Sequence, residues 1–120
     1  MNTRGKEYED LAALYIEKNG YKIVERNYVT RLGEVDIIAY DKKVLCFIEV
    51  KARKNSEYVP YEAVNKLKQR KIIKASIMYM KTKGISGGVD LRYDVVSIYG
   101  DINSPDILLI KNAFNVERYF

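Results

Sequence analysis

Residues 33–51 run Gly33-Glu34-Val35-Asp36-Ile37-Ile38-Ala39-Tyr40-Asp41-Lys42-Lys43-Val44-Leu45-Cys46-Phe47-Ile48-Glu49-Val50-Lys51. Two apolar runs of strand length flank one short polar break, Lys42-Lys43, which is the pattern of a hairpin. Residues equidistant from a hairpin loop stand opposite one another, so a two-residue loop sets Asp36 against Glu49. Opposed side chains lie about 5 Å apart at Cβ, and like charges there destabilise a sheet. Side chains alternate faces along a strand, so Lys51 shares the face of Glu49. Two carboxylates set together inside apolar strands call for compensation, and a divalent cation is the natural candidate.

Outward from the hairpin the chain alternates helical and strand patterns. Tyr8, Leu11, Ala12 and Tyr15 recur at helical spacing within residues 4–19, and Gly20 follows as a stop. Residues 21–28 read as a strand, followed by the hairpin strands 33–40 and 44–52. After a polar loop at 54–58, Pro60 opens a long helix to residue 83, with Val64, Leu67, Lys71, Ala75 and Met78 as its apolar-contacting stripe. Gly84, Gly87 and Gly88 end it. Residues 91–99 and 106–111 supply two more strands, and a polar and aromatic tail follows. The order is α-β-β-β-α-β-β. The strand after the long helix is reached by a crossover, which makes the sheet mixed, an α/β arrangement with helices packed on the sheet.

Composition narrows the chemistry. A chain of 120 residues with 48 % apolar content fits one globular domain. One cysteine and no secretory signal point to a reducing, cytoplasmic setting, and Cys46 sits among apolar neighbours as core packing. No apolar run approaches the roughly 20 residues of a membrane helix, so no membrane partner is expected. Histidine is absent, which excludes His-based zinc sites and Ser-His or Cys-His catalysis. Polar chemistry must rest on Asp, Glu, Lys, Tyr or a bound metal.

Charge is distributed unevenly. Net charge is +5, and seven of the 21 Lys and Arg residues fall between Ala63 and Val89, a stretch without one acid. The remainder is slightly acidic. Such local basicity is the footprint of a polyanion-binding surface, with a solvated helix face as the plainer alternative. Lys66, Lys68, Arg70, Lys71 and Lys74 are the candidate nucleic-acid contacts.

Asp36 and Glu49 facing each other form an oxygen-rich pocket suited to Mg²⁺ or Mn²⁺, to which the Val50 carbonyl can add a third oxygen. A metal there polarises a phosphoryl oxygen and activates water, and Lys51 can orient that water or stabilise charge on the phosphate. Acid, lysine and metal together suit phosphodiester hydrolysis without histidine.

Asp36 with Glu49-x-Lys51 resembles the PD-(D/E)xK nuclease superfamily, although Val35 stands where the motif's proline is named. The whole chain resembles the bacterial YraN-like (UPF0102) family. The matching stretches are Gly5-x-x-x-Glu9-x-x-Ala12, Gly20-Tyr21, Arg26-Asn27, Gly33 to Ala39, Ile48 to Arg53, Glu62-Ala63-Val64 with Lys68, Arg92 to Val96, and Asn112-Ala113-Phe114. Leu109 stands where that family carries a familiar histidine. The resemblance implies a restriction-endonuclease-like mixed sheet flanked by helices. It implies a metal role for Asp36 and Glu49, a catalytic role for Lys51, and a further acid near the metal at Glu9 on the first helix.

The expected function is metal-dependent hydrolysis of DNA, with branched or flapped structures as candidate substrates. The alternative is a nuclease fold that grips nucleic acid without cutting it. A homodimer is left open. Glu34 falls opposite Lys51 and either pairs with it or belongs to the site. Glu9 stands between Glu7 and Asp10, so an ordinary exposed helix acid is its plainer reading. Glu62 reads as a helix-dipole partner, and Asp94 as the acceptor of a structural hydrogen bond.

Overall fold

A computed structural model describes residues 3–53, 65–85 and 87–116. Its elements are α1 (Thr3–Lys18), β1 (Tyr21–Val29), β2 (Glu34–Asp41), β3 (Val44–Arg53), α2 (Lys66–Lys83), β4 (Leu91–Tyr99) and β5 (Asp106–Phe114). The strands form one sheet in the order β1-β2-β3-β4-β5. Only β3 and β4 are parallel; the other three pairings are antiparallel. The expected order and the mixed sheet are both present, with α2 as the crossover between the parallel strands.

Period-two alternation in β3 splits the core in two. Leu45 and Phe47 face α2, where they pack with Ile72, Ile73, Ala75 and Tyr79. Cys46 and Ile48 face α1, where they pack with Tyr8, Ala12, Ala13 and Ile16. Cys46 is fully buried, and burial pushes its thiol up to about 12, so it is packing and not a nucleophile.

The β2–β3 hairpin has the expected register, Asp41 opposite Val44 through to Ile37 opposite Ile48, about a two-residue turn at Lys42-Lys43. Lys42 takes the left-handed conformation that such a turn requires, with φ 57°.

The second helix differs from expectation in its start and its phase. Asn65 is extended (φ −69°, ψ 164°) and caps the helix, its side chain accepting the Lys68 amide at 2.8 Å. The helix therefore begins at Lys66; Pro60, Glu62 and Val64 lie outside the described residues. Its buried residues are Ile72, Ile73, Ala75, Ser76 and Tyr79. Leu67 is 61 % exposed and Lys71 is exposed, so among the described residues of the expected stripe only Ala75 is fully buried. The phase is set by the middle of the helix, where Ile72, Ala75, Ser76 and Tyr79 meet the sheet at i, i+3, i+4, i+7. Lys71 instead abuts the β1–β2 turn: a Cβ added at Gly33 would collide with the Lys71 carbonyl.

β5 also runs further than the sequence pattern suggested, to Phe114. Asn112 adopts φ 56° beside a register shift in the β4–β5 ladder, and Phe114 then pairs with Tyr93 and stacks on it. Asp94, fully buried, accepts from Tyr21 Oη (2.7 Å), Arg92 Nε (2.9 Å) and the Asn112 amide (2.9 Å). It is the structural acceptor that its strand position suggested.

Candidate functional site at the end of the hairpin ladder

The backbone ladder of β2 and β3 is regular as far as Ile37 opposite Ile48. At the next position the Asp36 carboxylate takes over, its Oδ2 accepting the Val50 amide at 2.8 Å. The acid thereby satisfies a donor at the end of the backbone ladder. N–H and C=O of one strand residue point to the same edge. The Val50 carbonyl is thus directed toward the Asp36 side as well.

Glu49 follows β3 into the same place. Asp36, Glu49, Val50 and Lys51 line one open cleft of about 360 Å³, together with Glu9 from α1 and Lys68 from α2. Asp36, Glu49, Lys51 and Glu9, the residues to which the sequence reading gave metal or catalytic roles, therefore line one cleft, between the starts of the two helices. The opposed carboxylates predicted from hairpin register share this cleft.

The electrostatics of the cleft are lopsided. Glu49 is 5 % exposed. Burial, then the hydrogen bond and charge of Asp36, push its carboxyl up to about 9, while Lys68 and Lys51 pull it down. Among the described residues the cation within ion-pair distance of it is Lys68, whose Nζ lies 3.6 Å from Glu49 and 3.9 Å from Glu34. The cation beside Glu34 is thus Lys68 on α2 and not Lys51, which strand register offered as one of two alternatives.

Glu9 is not the ordinary exposed helix acid that its neighbours Glu7 and Asp10 suggested. It is 1 % exposed. Its Oε1 accepts from Arg26 Nε (3.0 Å), Arg26 Nη2 (2.9 Å) and Asn27 Nδ2 (3.0 Å). Its Oε2 is buried and accepts no hydrogen bond among the described residues.

The basic helix divides into two parts. Lys68 turns into the cleft, and Lys71 borders an adjoining recess with Arg31 and Leu32. Lys66, Arg70 and Lys74 are exposed on the outer face. No acid occupies the first turn of α2, and Lys66 and Lys68 stand there instead. Cations at a helix N-terminus oppose the helix dipole by about 0.3–1 kcal/mol each, an arrangement that an incoming anion relieves.

Sequence reading did not find the Arg26–Asn27 contact with Glu9 or the Lys68 counterion. Both join a helix to a distant strand, and no local period reports such a pairing. Asn27 does carry a structural signal, a left-handed backbone (φ 53°) within β1, and Asn is among the few residues that accept it.

The model of the family described as "Uncharacterised protein family UPF0102" matches residues 8–98 of the chain. A UPF0102 protein of Desulfosudis oleivorans is 46 % identical over 112 residues, covering 92 % of this chain and 89 % of that protein. A UPF0102 protein of Geobacter sulfurreducens is 47 % identical over 112 residues, covering 90 % and 85 %. One of Persephonella marina is 39 % identical over 115 residues, covering 95 % of each chain. Among the described residues, no helix is long and apolar enough to cross a membrane.

Proposed function

We propose that this chain, which belongs to the uncharacterised protein family UPF0102, is a metal-dependent nuclease hydrolysing phosphodiester bonds of DNA. The observation that carries the reading is the meeting of Asp36, buried Glu49 and Lys51 in one cleft beside the cationic start of α2.

Asp36 and Glu49, with the Val50 carbonyl, would hold Mg²⁺ or Mn²⁺. The donors fit the ion. Among the described residues no three acids stand close enough to cage a metal. Mg²⁺ does not need such a cage: it is commonly held by one or two carboxylates, keeping waters and taking phosphate oxygens. Glu9 lines the same cleft, and its buried Oε2, without a donor among the described residues, suits an acceptor for that water shell. A bound cation would supply Lewis acidity and lower the pKa of water.

The chain's own residues do the rest. The Val50 amide fixes the Asp36 carboxylate by engaging Oδ2. Lys51, on the Glu49 face, donates to a phosphate oxygen or orients the attacking water, and stabilises charge growing at phosphorus. Lys68, once Glu49 is otherwise neutralised, pairs with a flanking phosphate. Lys66, Arg70, Lys71 and Lys74 hold the backbone of the nucleic acid beyond the cleft. Branched and flapped DNA are the candidate substrates.

The test is cleavage of single-stranded, duplex, flapped and four-way DNA with Mg²⁺ or Mn²⁺, by wild type and by Asp36→Asn, Glu49→Gln and Lys51→Ala. Loss of cutting in all three variants supports the reading. Binding of every substrate without cutting by the wild type sinks it. That outcome would leave a non-catalytic nucleic-acid-binding module, which one observation favours: Lys68 already neutralises Glu49 from 3.6 Å.

A further inference from the structure

Glu9 presents an asymmetry that a metal held by Asp36 and Glu49 alone does not explain. One carboxylate oxygen receives three N–H donors at 2.9–3.0 Å, and the other receives none among the described residues. Both oxygens belong to a side chain that is almost wholly buried. A buried carboxylate oxygen left without a donor is costly and uncommon. The three donors come from two successive residues of β1, and the second is held with φ 53°. A left-handed residue inside a strand is strained by about 1–2 kcal/mol. Here it lets adjacent side chains, Arg26 and Asn27, reach the same acceptor atom, although neighbours on a regular strand point to opposite faces. Arg26 is itself held from behind by Asp10 Oδ1 at 2.6 Å, and Lys6 braces Asp10 at 3.0 Å. The clamp is therefore a fixed assembly of charged side chains on α1 and β1.

We infer that Arg26 and Asn27 are positioning residues: they saturate one oxygen of Glu9 and fix its carboxylate, reserving Oε2 for the hydration shell of a divalent cation in the Asp36–Glu49 cleft. The inference rests on the metal reading of that cleft and adds what places its third acid. Arg26 and Asn27 also line a recess of about 690 Å³ that shares Asp36 with the cleft. The clamp contacts no ligand itself; its effect passes through Glu9.

A double-mutant cycle on Mn²⁺ binding, without nucleic acid, tests this. Asn27→Gly removes the amide and keeps the left-handed backbone, so the fold is retained, as thermal melting will verify. Arg26→Lys, which keeps a charge but loses the fork, is the second variant. Glu9→Gln keeps an acceptor for the clamp and places a donor NH₂ toward the cleft. Loss of an outer-shell partner typically costs 10- to 100-fold in metal affinity. We expect Glu9→Gln to weaken Mn²⁺ binding about tenfold, the lower end of that range, and Asn27→Gly about threefold, less because Arg26 still holds Glu9. Asn27→Gly added to Glu9→Gln should weaken it no further, a coupling that general loss of stability would not produce. Equal weakening by Asn27→Gly with and without Glu9→Gln overturns the inference. So does an Asn27→Gly variant with wild-type affinity when Glu9→Gln is weakened. If the wild type binds no Mn²⁺, or Glu49→Gln binds it as well as wild type, the metal reading itself falls and takes the clamp with it.

Discussion

Glu49→Gln should stabilise the protein at neutral pH while abolishing the proposed metal site. Glu49 is buried against Asp36, and its carboxyl is raised from an ordinary 4.5 to about 9, chiefly by burial. An acid whose pKa is higher folded than unfolded contributes its full stability below the unfolded value. That stability is lost as pH rises through the window up to the folded value. At pH 7, roughly halfway through that window, the folded side chain still holds a proton that the unfolded one has released. About 2.5 pH units at 1.36 kcal/mol each set a ceiling of about 3 kcal/mol on the cost. Glutamine has the same shape, carries no charge and can donate to Asp36. It gives up only the 3.6 Å contact with Lys68, whose side chain is partly exposed and recovers little there. The expected net gain is therefore about 1–2 kcal/mol at pH 7.5. In a chain of this size that corresponds to a rise in Tm of about 3–8 °C.

Thermal melts of both proteins across pH 4.5–8.5, in the presence of a chelator, measure the effect. The difference should be small at pH 4.5, where Glu49 carries its proton, and should grow with pH. Millimolar Mg²⁺ or Mn²⁺ should then raise the Tm of the wild type and leave that of the variant unchanged, since only a bound ligand stabilises the folded state. A variant that melts below wild type at pH 7.5 refutes the reasoning. A difference of the same size at every pH would assign the effect to packing and refute it equally.

Other perturbations follow from the same geometry. Lys51→Ala should abolish cleavage yet leave Mn²⁺ affinity intact or raised, because it removes a cation beside two acids; calorimetry alongside a cleavage assay separates the two effects. Replacing Lys66, Lys71 and Lys74 with Ala should flatten the slope of log K against log salt by up to about 0.9 for each phosphate no longer neutralised, as read in DNA-binding titrations at several salt concentrations. Gly33→Ala should destabilise by about 1–3 kcal/mol in chemical denaturation, because the new Cβ meets the Lys71 carbonyl. Asp94→Ala should cost about 3–5 kcal/mol by the same assay, because Arg92 loses its principal buried partner.

Hairpin geometry was legible because it is local. A two-residue break between alternating runs fixes register, and register alone brings Asp36 and Glu49 together. The crossover was legible because a helix between strands leaves few alternatives. The phase of α2 was not. Leu67 and Lys71 match the helical period as well as Ile72 and Tyr79 do, and only the sheet decides which of them is covered. The end of β5 was obscured for a related reason. Its continuation needs a left-handed Asn112 and a register shift, which break the alternation by which a strand is recognised. Glu9 shows the limit most plainly. Flanked by Glu7 and Asp10, it reads from spacing as a surface acid, and its burial depends on Arg26 and Asn27 from another element.

The two ends of the sheet offer an internal control on the functional argument. Asp94, Arg92, Asp41, Tyr21 and Lys111 form a network as charged as the cleft, and in it Arg92 and Lys111 both reach Asp41, at 2.7 and 3.1 Å. Each carboxylate there has donors on hand, and Arg92, with Asp94 foremost, holds its proton more tightly than a free guanidinium would. Asp41 lies below the usual carboxylate range because Arg92 bonds to it. Charge at that end is neutralised within the fold, and such a network stabilises without asking for a ligand. At the other end Glu49 is pushed the opposite way, Glu9 keeps an oxygen without a donor, Asn27 holds a strained backbone, and lysines stand where a helix favours acids. The fold has supplied donors to one cluster and has left the other with a raised carboxyl and, among the described residues, a carboxylate oxygen without a donor. Under the proposed reading, what that second cluster lacks would come from outside the chain, a cation for the acids and phosphate for the lysines.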